Sequence, residues 1–439
     1  MNRRDFIKGA AVTLAATSSP ALSRSAYAGG ADTLKVGLIG CGGRGTGAAL
    51  QALAADRGTV IWAMADVFMD RLQSSLNGLE KNGGEGRVNV PAERQFDGFE
   101  GYKKVVEECD VVLLATTPAF RPLHLRYAVD NGCQVFCEKP VAVDGPGLRS
   151  VLESARIAQE KGLCLAHGFC WRAHLGKRAV YGEINSGRIG EVRLAYGTYL
   201  AGGVWHRGDK PEWTEMERHL RNWYYHTYLG GDHIVEQAVH SIDKILWAFG
   251  DQAPKNAIAV GGRQQRTDKK YGDIWDHFSV IYEFEGGAQG HLMTRQWDGT
   301  SMENLDRVLG SDGIAHIDGW ADKFRVEGKR PWNYEGPGNN MYQTEHDELF
   351  AAIREGRQLN QGAAMVRSTQ AAILGRMAAY TGKRVSWDEC LNSEEQLTPN
   401  TWEWGDRPNP PPPHTGQAEG TGRQNRSAIS SPAPSPKTN

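Results

Sequence analysis

Leu34-Lys35-Val36-Gly37-Leu38-Ile39 runs directly into Gly40-Cys41-Gly42-Gly43-Arg44-Gly45, and this junction restricts the chain more than any other stretch. The apolar run reads as a buried strand, and Ala48, Leu50, Leu53 and Ala54 continue it as a helix. At Gly40-x-Gly42-x-x-Gly45 the first glycine permits a tight turn, the second admits a pyrophosphate against the backbone, and the third lets helix and strand approach closely. Gly43 and Arg44 complete the loop. The next strand, Thr59 to Ala65, ends at Asp66, a carboxylate placed to accept hydrogen bonds from an adenosine ribose. A negative group there repels a 2′-phosphate, which favours NAD, while Arg44 and Arg71 keep NADP open.

Two further strand ends face the same way. Cys109 to Ala115 is followed by Thr116-Thr117-Pro118, and Gln134 to Cys137 by Glu138-Lys139-Pro140. Ligands of a parallel sheet collect beyond the carboxyl ends of its strands. Thr117 and Pro118 are therefore expected to flank the nicotinamide half, with Glu138 beside it and Lys139 projecting toward it. His124, near the start of a following helix, either touches cofactor or substrate, or caps and packs. His167 ends the last strand of this layer, Leu163 to Ala166, and is a candidate substrate contact.

Taken in order, the glycine loop, Asp66, Thr117-Pro118, Glu138-Lys139-Pro140 and Gly230-Gly231 through Asp243 resemble the Gfo/Idh/MocA oxidoreductases, from residue 34 to about 390. The resemblance implies a Rossmann dinucleotide-binding domain (33–168) followed by an α+β domain on a mostly antiparallel open sheet (169–395). It implies that a helix at 363–380 packs back on the first domain, and that the chain forms a homo-oligomer. It places Lys139 beside nicotinamide and substrate, matches His240 to the family's catalytic histidine and Asp243 to its nearby acid, and sets Arg172 near substrate. Where the family has aspartate and glycine, this chain has Glu236 and Ala238. Glu236, His240 and Asp243 recur at spacings of four and three, so one helix would carry them on one face. Asp232 and His233 adjoin them as candidate substrate contacts. A metal held by Asp232, His233, Glu236 and His240 is the alternative, and direct proton transfer explains the same groups without one.

In the second domain, strands are expected near Ile189–Tyr196, Ala257–Val260, Asp276–Phe284, Ala288–Arg295 and Leu305–Leu309. Between the first two lies an aromatic and basic stretch containing Trp205, Arg207, Trp223 and Tyr225. Aromatic faces cover sugar C–H surfaces and guanidinium groups bond hydroxyls, so these four are candidate substrate residues. The same stretch could instead pack on itself or form an oligomer contact.

The expected chemistry is hydride exchange between tightly bound NAD(P) and a hydroxyl-bearing carbon of a sugar, glycoside or cyclitol. Lys139 and His240 would handle the proton, with Glu236 and Asp243 orienting His240. Transient oxidation at C3, C2 proton loss and elimination would instead give net glycoside hydrolysis with the cofactor recycled. An inactive exported sugar-binding protein is the non-enzyme alternative.

The chain ends add location. Arg3-Arg4-Asp5-Phe6-Ile7-Lys8, a weak apolar run and Ala26-Tyr27-Ala28 resemble a twin-arginine export signal over residues 1–28, implying the twin-arginine machinery as a partner and a periplasmic or exported product. Seven cysteines form neither a disulfide framework nor a zinc ribbon. The net charge of −2 offers no basic block for nucleic acid, and no run of apolar residues is long enough for a membrane span. Residues 396–439, rich in Pro, Gly and Ser, are expected to be disordered.

Overall fold

The computed structural model describes residues 33–406, 410 and 412–415. Segment 1–28, read from the sequence as resembling an export signal, and most of the C-terminal tail lie outside the described residues.

The first layer is a six-stranded, wholly parallel sheet: β1 (Leu34–Ile39), β2 (Thr59–Ala65), β3 (Gln95–Phe96), β4 (Val111–Leu114), β5 (Gln134–Cys137) and β6 (Leu165–His167). The order β3-β2-β1-β4-β5-β6 is doubly wound, with its reversal between β1 and β4. β4 and β5 are buried at every position, as continuous Val-Val-Leu-Leu and Gln-Val-Phe-Cys runs covered on both faces require.

The second layer is a nine-stranded sheet: β7 (Val192–Ala201), β8 (Asn256–Gly262), β9 (His277–Glu283), β10 (Gln289–Gln296), β11 (Leu305–Gly310), β12 (Gly313–Asp318), β13 (Lys323–Gly328), β14 (Trp332–Asn333) and β15 (Val385–Ser386). Its order is β14-β13-β12-β11-β7-β10-β9-β8-β15, and every pair is antiparallel except β7 with β10. β9 shows why one face is open: Phe278, Val280 and Tyr282 are buried while Ser279 between them is exposed. The fold class read from the sequence, a Rossmann domain joined to a mostly antiparallel α+β domain, is the one observed.

Two helices late in the chain return to the first layer. Gly362–Thr381 runs between the sheets; Thr369 Oγ1 accepts from the Val141 N–H at 3.3 Å, and Arg376 Nη1 donates to the Gly231 carbonyl at 3.0 Å. Met341–Arg354 lies on the helix that follows the glycine turn, Gly43–Ala55. Its Leu349, Phe350 and Ile353 join Leu38, Ala52 and Leu53 in one buried cluster, and Arg354 closes on Asp56 at 2.7 Å.

The tail departs from expectation at its start. Residues 397–405 cross the molecular surface, with Leu397 and Trp402 packed against a buried cluster that holds Phe68, Phe120 and Tyr228. Two tryptophans in an otherwise polar stretch supply the apolar area that the overall composition hides.

Candidate functional site

One cavity of about 490 Å³ opens at the carboxyl ends of β1, β2, β4 and β5. Its floor begins at the glycine turn. Gly40 has φ +98°, and a Cβ there would sit 2.5 Å from the Ala115 carbonyl carbon; a Cβ on Gly45 would meet the Gly40 carbonyl oxygen at 1.9 Å. These two glycines serve packing. Gly42 and Gly43 meet nothing within 4 Å on the Cβ side, and Gly42 caps the helix Gly43–Ala55 without a side-chain hydrogen bond. Free backbone N–H groups and an open floor at a helix N-terminus fit a pyrophosphate.

Asp66 stands on the wall beside the turn, as its place after β2 dictates. Its Oδ2 accepts from the Cys41 N–H at 2.7 Å and Oδ1 from the Phe68 N–H at 3.0 Å, and burial pushes its carboxyl up. Each oxygen retains a lone pair for a ribose hydroxyl. Arg44, on the first turn of the helix, binds Glu138 Oε1 at 2.8 Å and lies 4.9 Å from the Tyr342 ring centre, so glycine loop and Glu-Lys-Pro element are tied together. Thr117 lines the cavity. Pro118 does not; it is buried as the first residue of a short 3₁₀ turn, Pro118–Phe120. His124 lines the cavity from between Tyr102 (4.2 Å between ring centres) and Phe120 (5.7 Å), and burial, with Arg121 adding to it, lowers its pKa to about 3. It is a neutral packed ring on the floor.

Opposite lies the polar centre. Lys139 Nζ donates to Glu236 Oε1 at 3.0 Å and to the Glu236 backbone carbonyl, leaving one of its three N–H bonds for a ligand. His240 lines the cavity too, tilted against Trp171 at 5.1 Å and edge-on to Phe169 at 6.1 Å. Burial lowers its pKa well below the ordinary value, and Lys139, Lys244 and Lys177 add to the effect. The imidazole is therefore neutral, with one ring nitrogen able to accept a hydrogen bond. Tyr199 joins this wall, its hydroxyl pushed up to about 12 by burial. Trp205, Arg207 and Trp223 from the aromatic stretch also line the cavity.

Several sequence expectations are corrected here. Glu236, His240 and Asp243 do not share one helix: His233–Glu236 stops, and a second helix begins at Val239. Glu236 and His240 still face the cavity, whereas Asp243 turns away. Its oxygens bind Arg172 at 2.8 Å and Ser368 at 2.6 Å, and Arg172 outweighs burial to hold the carboxyl below its usual range. Asp243 therefore does not orient His240. Arg172, spent on Asp243 and Asp251 and stacked over Trp247, is no substrate contact. His167 is buried outside the cavity wall with its pKa lowered by burial to about 4, and its Nδ1 accepts from the Phe169 N–H. Tyr225 donates to the Val204 and Trp205 carbonyls and so holds the loop rather than a ligand.

Asp232 and His233 are fully buried and structural. Asp232, at φ +75°, accepts from the Trp275 N–H (2.8 Å) and the Tyr380 hydroxyl (2.6 Å), while His233 Nδ1 donates to the Trp275 carbonyl. They do not line the cavity that Glu236 and His240 face, and among the described residues no group of three His, Cys, Asp or Glu side chains could hold a metal ion. The seven cysteines are buried free thiols. Residues the sequence reading missed include Phe68, Phe99, Phe120, Arg121, Tyr199, Gln237 and Tyr342, all on the cavity wall. Arg121 alone left a signal, a cation in the first turn of a helix where the dipole disfavours it.

Comparison with known proteins agrees with this geometry. Residues 34–169 match the oxidoreductase family with the NAD-binding Rossmann fold (GFO_IDH_MocA), and residues 178–316 match the GFO/IDH/MocA C-terminal domain. Inositol 2-dehydrogenase 3 of Saccharopolyspora erythraea is 26% identical over 257 residues, 58% of this chain and 65% of that protein. D-glucoside 3-dehydrogenase of Escherichia coli is 25% identical over 184 residues, 42% of this chain and 48% of that protein. The chain thus spans about two thirds or less of these two relatives. Among solved structures, aldose-aldose oxidoreductase from Caulobacter crescentus, complexed with glycerol, superposes with a TM-score of 0.65 at 18% identity, over 81% of this chain and 99% of that one. The chain belongs to the Gfo/Idh/MocA oxidoreductase family, and its first layer is that family's NAD-binding Rossmann domain.

Proposed function

We propose that this chain is an exported, NAD(P)-dependent oxidoreductase acting at a hydroxyl-bearing ring carbon of a sugar, glycoside or cyclitol. The observation that carries the reading is Lys139 Nζ, pinned by Glu236, on the same cavity wall as the half-buried, neutral His240, in a cleft that starts at an open glycine turn. The relatives named for inositol and glucoside dehydrogenation support the substrate class. The Arg3-Arg4 segment supports export.

When bound, the nicotinamide supplies the acceptor and donor of hydride. Gly42, Gly43 and Asp66 would hold the dinucleotide, with Thr117 and Glu138 along its length. Lys139 gives its remaining N–H to the substrate oxygen and stabilises negative charge growing there. His240, in its neutral form, takes the hydroxyl proton; burial and three lysines disfavour the imidazolium, so the proton is held there only transiently. The Tyr199 hydroxyl, protonated throughout the physiological range, is a further donor. Trp205 and Trp223 cover the apolar faces of the ring. The open face of the second sheet carries exposed Ile258, Val260 and Met293, with Val260, Ser279 and Met293 in one cross-strand row, which supports that face as a contact between copies of the chain.

The test is isotopic. Sugars, glycosides and inositols deuterated at single ring carbons are incubated with the cofactor-loaded protein, and the cofactor is then weighed. Deuterium arriving in it from one carbon supports the reading; no transfer from any carbon overturns it. Loss of C2 deuterium to water together with glycoside cleavage would identify the hydrolytic cycle.

A further inference from the structure

Three phenylalanines, Phe68, Phe99 and Phe120, form the outer wall of the cavity at the Asp66 end, where the adenosine half of a dinucleotide would lie. One segment braces all three from outside. The Trp402 ring centre is 4.1 Å from that of Phe120 and 6.3 Å from that of Phe99; the Trp404 ring centre is 4.9 Å from Phe99 and 5.7 Å from Phe68. The segment is fastened to both lobes. The Leu397 N–H donates to Asp144 Oδ2 at 2.9 Å on the first lobe, and the Gly405 carbonyl accepts from the Met216 N–H at 3.1 Å on the second. Farther along, the Pro413 carbonyl accepts from the Trp275 indole N–H at 2.9 Å.

We propose that residues 397–405 are a retention strap, with Trp402 and Trp404 as positioning residues that hold the phenylalanine wall closed over the dinucleotide. The proposal rests on the dinucleotide site argued above and explains how such a ligand stays bound without a covalent link. A ligand leaving past Asp66 needs Phe99 and Phe120 to yield, and neither can swing outward while the two indoles pack behind them. The strap is held by a few backbone hydrogen bonds and ring contacts, so it slows release without making it impossible.

The full chain, loaded with labelled NAD and chased with excess unlabelled NAD, reads the release rate directly. W402A/W404A is expected to release label at least about tenfold faster, the equivalent of one decade in affinity, with its folded baseline checked by circular dichroism. Release at the wild-type rate from the folded variant overturns the strap and leaves the dinucleotide reading intact. A full chain that binds no dinucleotide overturns both. Should the variant fail to fold, hydrogen exchange on the unaltered chain decides: slower exchange at the 397–405 amides on NAD addition supports the strap, and unchanged exchange overturns it.

Discussion

The four glycines of the nucleotide turn do two different jobs. At Gly45 any side chain would overlap the Gly40 carbonyl, whereas at Gly42 a methyl group would stand in the open cavity. Gly45→Ala is expected to lower the melting temperature and abolish dinucleotide binding together. Gly42→Ala, at an extended φ of −76°, should leave the melting temperature within a degree or two while weakening binding at least about tenfold, a cost of ~1.4 kcal/mol. Thermal melts with and without NAD separate the two outcomes. The glycine loop, Asp66 and Lys139 were legible in the sequence because strand, turn and carboxylate follow one another locally. Asp243 was not. Its spacing from His240 fits a helix face, but Arg172, from 71 positions earlier in the chain, captures its carboxylate.

At the scale of elements, the helix Met341–Arg354 belongs to the nucleotide layer although it comes from the far end of the chain. Phe350 is 1% exposed and packs with the residues around β1 and Gly43–Ala55. Phe350→Ala should destabilise the protein by about 3–5 kcal/mol, read as a shift in the urea midpoint, and should weaken NAD binding with it. Arg354→Ala should cost far less, since the Asp56–Arg354 pair is partly exposed. Periodicity located the four strands from β8 to β11, where apolar and polar residues alternate. It did not locate β12, β13 or β14, which add to β11 as successive hairpins, nor the two-residue β15, whose place is set by pairing with the distant β8. The break between Glu236 and Val239 also escaped it, because no glycine or proline marks that position.

Across the whole molecule, buried histidines weaken the fold in acid. Burial lowers His124 and His346 to about 3 and His167 to about 4. Their unfolded counterparts titrate near pH 6.5, so below that pH the unfolded chain binds protons that the folded chain refuses. Their contribution is fully present above about pH 6.5 and is lost as the pH falls toward the folded values, at about 1 kcal/mol per pH unit for each ring. Buried Asp273, raised to about 6, and Glu345, also raised, work the other way over this range, so the rings are read one by one: by NMR all three should stay neutral in the folded chain at about pH 5, and a ring protonated there is solvated. The two lobes, the returning helices and segment 397–405 border a cleft whose proposed chemistry turns on Lys139 and His240. The most direct measurement is the near-ultraviolet absorbance of the cofactor-loaded full chain on adding a sugar or cyclitol substrate, wild type beside Lys139→Ala. The account predicts reduced nicotinamide in the wild type, and a variant that keeps its dinucleotide but reduces it at least about a hundredfold more slowly, a barrier increase of ~2.7 kcal/mol. Equal rates in the two proteins would contradict it.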